Sequence, residues 1–456
     1  MAADRAVAER ARIGLDVGAW LVAAAVLACG LYGTGFGYLN GDAAAYAAQG
    51  WDADLAQRTV HLGYVALATA LAPFAGDALP AWLDGVTALA AAAAVLGAGA
   101  IAGRLDRPAW PAAGVMAIAV LPWASFGEVD LPWVALMVWA AAIRSSRWAS
   151  ALVALAVTLS PVALLAIFWV WAVRSHLYWF GTSKEKTAGF LDWDRGEWLI
   201  AGAAIAAVFV LTLVSGGDWW VGERGVLHAP SPRILRAVQA FAAEAVPWWG
   251  TPLLLWGWVA GGAPGLLMTV PLLLAPPDTH AGLLLAASLG PPASRGVTSL
   301  KGFSGWGRLA FAVVLALLCI DVGLAVREWR GRMEQVVLEE VAVHAVLVKM
   351  GPKDGLLAPW SWGARASVLA TGDPYALPWR VPGEPVRDQV KWCNHTWERV
   401  FLLPPEAELS SDLAEVVRKE HGVRWVPGLA EPMQRLPGCR PSVRPREMPP
   451  AEAPGG

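Results

Sequence analysis

The chain has 456 residues, of which 56% are hydrophobic and 16% charged, with a formal net charge of −2. A soluble globular protein carries about 25% charged residues, so the composition excludes a water-soluble enzyme, a disordered chain and a disulfide-built secreted domain. The near-zero net charge offers no basic field for nucleic acid. What is left is a polytopic helical membrane protein. The 35 basic residues are mostly arginine. With abundant Ala and Gly, that usage points to a GC-rich bacterial genome and a bacterial cytoplasmic (inner) membrane.

The first apolar run, Val17–Gly41, is too long for the core of a cleavable signal and reads as an anchor. Arg5, Arg10 and Arg12 precede it, which places the N-terminus inside by the positive-inside rule. The acidic segment Gly41–Asp54 then lies outside. His61–Phe74 falls short of the about 20 residues a spanning helix needs, and is expected along the outer surface. Crossings follow near 79–103, 108–126, 131–143, 148–159, 161–173, 198–216, 248–262, 264–277, 279–294 and 306–326, with 17–38 the first. Ser160-Pro161 and Gly261-Gly262 divide two long runs into short pairs.

The connecting segments split by charge. Arg104 with Arg107, Arg144 with Arg147, Arg174 through Lys186 and Arg295 through Arg308 are basic and inner; the Gly127–Asp130 turn and the Asp278 turn are acidic and outer. About eleven crossings result, and they leave the C-terminus outside. Arg224, Arg233 and Arg236 in an outer loop, and Arg327, Arg330 and Arg332 after the last crossing, argue the other way. Asp84 and Asp321 lie near helix ends and are expected at the membrane interface.

From about residue 333 the composition changes. Val341–Lys349, Leu356–Trp360, Ala366–Leu369, Val400–Leu403 and Val423–Val426 read as strands. Asp412–His421 reads as a helix with Asp412 as N-cap and Gly422 as stop. The expected fold is thus mainly α: a polytopic transmembrane bundle over 1–330, a small soluble α/β domain over 331–440 and a disordered Pro-rich tail over 441–456. Cys29 and Cys319 are packing residues in apolar runs. Cys393 and Cys439 both lie in the tail domain, where pairing or free thiols remain alternatives.

Ionisable groups at a membrane are costly and default to functional candidates. The densest set is Asp42, Tyr46, Asp52, Asp54, Arg58, His61 and Tyr64. Asp42 and Tyr46 share a helical face, as do His61 and Tyr64. Each has a plain alternative: Asp42 as a cap for Ala43–Gln49, Arg58 as an interfacial anchor, His61 as a packing residue. Glu128 and Asp130 either form a second acidic site or favour the start of the helix near Leu131. His280, after Asp278, either binds phosphate or stands at a helix start. The sequence has no HExxH, CxxC, phosphate-binding glycine loop or Gly-x-Ser-x-Gly.

Gly41-Asp42 directly after the first crossing, continued by Ala43-Ala44-Ala45-Tyr46, resembles the first-loop signature of GT-C fold membrane glycosyltransferases, nearest to the protein O-mannosyltransferase-like branch. Val60-His61-Leu62-Gly63-Tyr64-Val65 aligns with a His-Pro-Pro-Gly-Tyr-Pro stretch in its Gly-Tyr pair only, without the prolines. Glu128-Val129-Asp130 stands where the family can carry Glu-Val-Tyr. The resemblance covers roughly residues 15–175. It implies transfer of a sugar from a polyprenyl-phosphate donor, on the outer face of the bilayer, to a protein, lipid or glycan acceptor. Asp42 would then act as general base or orient the acceptor. Glu128 and Asp130 would support the acceptor or a divalent cation. Tyr46 and Tyr64 would shape the pocket, with Arg58, His61 and His280 as our candidates for the donor phosphate. The competing expectations are a transporter or flippase-like protein and a non-catalytic scaffold.

Overall fold

In a computed structural model, the described residues are 15–34, 61–125, 127–180, 195–215, 251–259, 280–301, 305–352, 354–358, 360–371, 379–380 and 399–402. They are mainly helical. They divide between two compact units, one ending at Glu334 and the other resuming at Gln335.

The first unit is a bundle whose helices follow the apolar runs. They are α1 (Val17–Thr34), α2 (Leu62–Ala75), α3 (Leu79–Gly103), α4 (Trp110–Val120), α5 (Leu131–Ala142), α6 (Ser146–Leu159), α7 (Ala163–Phe180), α8 (Arg195–Ser215), α9 (Thr251–Val259) and α10 (Leu283–Lys301). The first part of α11 (Trp306–Leu347) completes the unit. The expected break at Ser160-Pro161 falls between α6 and α7, where proline removes a backbone donor and disfavours the helix. The expected crossing 264–277 lies outside the described residues. The expected end near 294 is exceeded: α10 runs on to Lys301 with Pro291 and Pro292 inside it.

Among the described residues, two helices are long and apolar enough to cross a membrane, α3 and α11. They differ in surroundings. The apolar window of α3 is 72% buried inside the protein, that of α11 only 11%. Trp306, Leu309, Val313, Ile320 and Leu324 of α11 are exposed, a surface that suits lipid better than water.

Small residues permit the close packing that shapes one end of the bundle. A Cβ on Gly33 of α1 would stand 2.3 Å from Ser125 Oγ, and one on Gly30 would stand 2.6 Å from the Ala124 carbonyl oxygen. Ser125 Oγ donates to the Gly30 carbonyl at 3.2 Å and accepts from Trp329 Nε1 of α11 at 3.2 Å. The segment after α4 is therefore held between α1 and α11.

The second unit contains the end of α11, then β1 (Asp354–Leu357), α12 (Trp360–Thr371), β2 (Trp379–Arg380) and β3 (Arg399–Leu402). The strands are parallel in the order β2-β1-β3. Val343, Val346, Leu356, Ala358, Ala366 and Phe401 form its core. Two expected strands are corrected to helix. Val341–Leu347 is the end of α11, with Val348 and Lys349 in the turn after it: Val343 and Val346, three apart, reach the core together, and His344 meets Glu340 at 3.7 Å across one turn. Ala366–Leu369 belongs to α12, whose Arg365 forms an ion pair with Glu339. The expected helix at Asp412–His421, the strand at Val423–Val426, the tail 441–456, Cys393 and Cys439 lie outside the described residues.

Candidate functional site

The candidate site is built at the end of the first unit where Ser125 is clasped. Several elements converge there. The chain turns at buried Gly127 with φ +61°, a conformation that glycine adopts without steric cost. It then presents Glu128, Val129 and Asp130 ahead of α5. Opposite stands His280, just before α10. His280 Nε2 lies 3.3 Å from Glu128 Oε2; the His280 side chain is 4% exposed and that of Glu128 15%. This pair joins residues 152 apart in sequence.

His280 is held on a second side. Its ring packs on Trp123, in the short 3-10 turn Leu121–Trp123, at a centroid distance of 4.0 Å and an interplanar angle of 52°. The guanidinium of Arg332, from α11, lies 3.3 Å from the Trp123 ring centroid, the arrangement of a cation over an aromatic face. Arg332 also meets Glu328 one turn earlier at 3.3 Å.

Asp130 occupies the N-cap position of α5, yet its side chain makes no capping hydrogen bond. Its Oδ1 instead accepts from the indole Nε1 of Trp133 at 2.7 Å. Burial pushes the Asp130 carboxyl above its ordinary value, against the opposite pull of His61, His280 and the Trp133 hydrogen bond. Asp130 thus stands at the helix start, as the plain alternative has it, while its side chain also holds the Trp133 indole.

His61 opens α2, and its Nδ1 stands 2.7 Å from the carbonyl oxygen of Leu159, at the end of α6. Tyr64, three residues on, is fully buried. Its neighbours in charge or hydrogen bonding are Asp84, Thr87 and Glu128. Thr87 Oγ1 donates to the Leu83 carbonyl at 3.2 Å and approaches the Glu128 carbonyl at 3.4 Å.

Asp84 is fully buried in α3, beside the charge of Glu128, and neither carboxylate oxygen has a hydrogen-bond partner among the described residues. Asp321 is likewise 3% exposed, within α11 rather than at its end. An orphaned buried carboxylate is costly, so Asp84 marks a place where the fold tolerates strain.

The structure thus brings Glu128, His280, Asp130, His61 and Tyr64 to one end of the bundle. Asp42, Tyr46 and Arg58, with Asp52 and Asp54, lie outside the described residues. Reading the sequence missed Trp123, Arg332 and Thr87. Trp123 is one of 27 tryptophans and sits in an apolar run, and Arg332 is one of three arginines in a basic stretch. Among the described residues, no three His, Cys, Asp or Glu side chains group as a metal site.

Chemically, the cluster combines a carboxylate in contact with an imidazole, two further buried carboxyls and an aromatic bearing a cation. Such a set can take up or hold a proton and orient a hydroxyl. No protein-family model matches the chain, and no curated protein sequence matches it.

Proposed function

We propose that the chain is an integral-membrane glycosyltransferase of GT-C type. It moves a sugar from a polyprenyl-phosphate donor to an acceptor on the outer face of a bacterial cytoplasmic membrane. In this reading the first unit is the polytopic bundle of about eleven crossings, and the second belongs to a small α/β domain outside. The observation that carries it is the Glu128–His280 pair at 3.3 Å, set among Asp84, Asp130, His61 and Tyr64 at one end of an apolar bundle.

The chemistry suits these groups. The acceptor hydroxyl attacks the anomeric carbon, the carbon–oxygen bond to the phosphate breaks, and the hydroxyl proton passes to a carboxylate. Asp42 is the base that the first-loop resemblance favours, and Glu128, fixed by His280, orients the acceptor. Cationic groups offset the charge that grows on the departing phosphate. The apolar helices offer the lipid chain a solvent.

The test is transfer by detergent-purified protein from a panel of polyprenyl-monophosphate sugars, with thermal unfolding read alongside. One donor at about 100 times its dissociation constant should stabilise the wild type by about 2.7 kcal/mol. Asp42→Asn should lower turnover by about 10²–10⁴-fold, the usual range for a lost acid–base group, while donor stabilisation persists. Absence of stabilisation by any donor, in protein shown to be folded, would overturn the reading.

Asp84 favours a second reading. An unpartnered carboxylate inside a candidate span is also what a transporter uses to carry a proton or an ion. Solute flux into proteoliposomes that Asp84→Asn abolishes, with no transfer from any donor, would select it.

A further inference from the structure

The Glu128–His280 pair is itself held in place, and by residues with no expected part in the chemistry. His280 has φ +52°, a left-handed conformation that residues other than glycine rarely adopt. Such backbone persists only where its surroundings over-determine it. Two contacts do so here. One is Glu128, at 3.3 Å from Nε2. The other is the Trp123 ring, at 4.0 Å. Trp123 in turn carries the Arg332 guanidinium at 3.3 Å from its centroid. A row of four side chains therefore runs from α11 through the turn after α4 to the start of α10 and back to the 127–130 turn.

We propose that Trp123 is a positioning residue that holds the His280 imidazole against Glu128, and that Arg332 keeps Trp123 in that position. The inference deepens the reading of Glu128 and His280 as the working pair, but its test needs no substrate. The charged groups facing His280 are Glu128 and Asp130 from the turn before α5, and Arg332 from α11 across Trp123. His61 of α2 and Asp84 of α3 act one step away, through Asp130 and Glu128.

Two roles of Arg332 predict opposite signs. If it is only a nearby positive charge, its removal relieves repulsion and raises the titration midpoint of His280. If it holds Trp123, its removal loosens the His280–Glu128 pair and lowers that midpoint, as loss of Glu128 does.

The experiment is a pH titration of the full chain in detergent micelles, labelled with carbon-13 at histidine Cε1. The chain has 7 histidines, and the His280 signal is the one lost in His280→Gln. Glu128→Gln sets the scale: the midpoint falls by about one pH unit, the size expected when an opposite charge within about 4–6 Å is lost. Trp123→Leu should lower the midpoint by at least half that amount, and Trp123→Phe, which keeps an aromatic face, should restore it. Arg332→Gln should also lower it. An unchanged or raised midpoint in both Trp123→Leu and Arg332→Gln overturns the proposal. If Trp123→Leu does not fold, the sign in Arg332→Gln decides alone, because Arg332 is partly exposed and its neutral variant keeps the helix. Failure of every donor in the transfer assay leaves this result standing, and an unchanged midpoint leaves the transferase reading standing.

Discussion

The two ends of the helical bundle use polar groups in opposite ways. At the end opposite Glu128, Asp16, Arg104 and Arg174 each bind more than one backbone group. Asp16 accepts from the Ala19 amide at 2.8 Å, capping α1, and with its other oxygen from the amides of Ala109 at 2.7 Å and Trp110 at 3.2 Å, at the start of α4. Arg104 donates to the carbonyls of Ala141 and Ala142 at 3.3 and 3.0 Å. Arg174, 7% exposed, donates to the carbonyls of Ala140, Ile143 and Arg144 and to Ser146 Oγ. These groups join helix ends: a carboxylate at two N-termini, and guanidinium groups at the C-terminus of α5, each where the helix dipole favours its charge. At the other end, Asp84 lacks a partner among the described residues, Asp130 sits in a costly burial, and His280 occupies a left-handed conformation. One end is arranged for stability; the other carries groups whose cost a function would explain.

The sharpest way to break this contrast is to remove Arg174. Arg174→Met keeps the stem's packing but strands carbonyls at the end of α5, each of which loses about 1–3 kcal/mol when left buried without a donor. We expect a loss of roughly 3 kcal/mol in stability, read as a lower unfolding temperature in detergent, with substrate turnover per folded molecule unchanged. A drop in turnover without a drop in stability would move Arg174 out of the structural class.

Asp16→Ala should cost less. It deletes caps at two helix starts, each worth about 1 kcal/mol, so roughly 2 kcal/mol is expected. Asp16→Asn, which keeps an acceptor oxygen, should recover about half of that. Equal losses in both variants would mean that charge, and not hydrogen bonding, is what Asp16 contributes.

The opposite sign is expected at the other end. Asp84→Asn replaces a buried carboxyl that makes no hydrogen bond among the described residues with a group that cannot ionise, and should raise stability by about 1 kcal/mol while reducing turnover. Destabilisation by the same substitution would show that Asp84 has a structural partner in segments beyond the described residues, and would erase the contrast between the ends.

How far the sequence disclosed this arrangement depends on what each residue contrasts with. Glu128, Asp130, His61 and His280 stand out because each interrupts or bounds an apolar run, and a polar residue there is expensive. Helix positions were legible for the same reason. Trp123 was not, because a tryptophan in a run of Leu, Pro and Ala changes neither charge nor hydropathy; its role comes from the fold bringing α11 and α10 to it. Arg332 reads as one more basic residue after a crossing. Asp84 was visible, but its burial was not, since distance from a helix end says nothing of which neighbours cover that turn. The second unit was the hardest to read. Val341, Val343 and Val346 carry β-branched side chains that suit a strand, and only the partners Glu340 for His344 and Phe401 for Val343 and Val346 show why the helix continues through them. Local propensity gave way to tertiary packing there.

The finest probe of the contrast is pH. Burial raises the carboxyl of Asp130 above its ordinary value in the folded chain, while the unfolded chain keeps the usual value near about 3.9. Between those two values the folded state binds more protons than the unfolded one, so stability falls as pH rises through that window. Above the window a constant penalty remains; below pH of about 4 it vanishes. Asp130→Asn cannot ionise, yet its amide oxygen can still accept from Trp133. The variant should therefore match the wild type near pH 4 and become the more stable of the two as pH rises toward neutrality. The measurement is the difference in unfolding temperature between the two proteins across pH 4 to 8, where groups that titrate alike in both cancel. A difference that stays flat would mean that His61 and His280 hold the Asp130 charge as well as water does, and that this end of the bundle stores no electrostatic strain at Asp130.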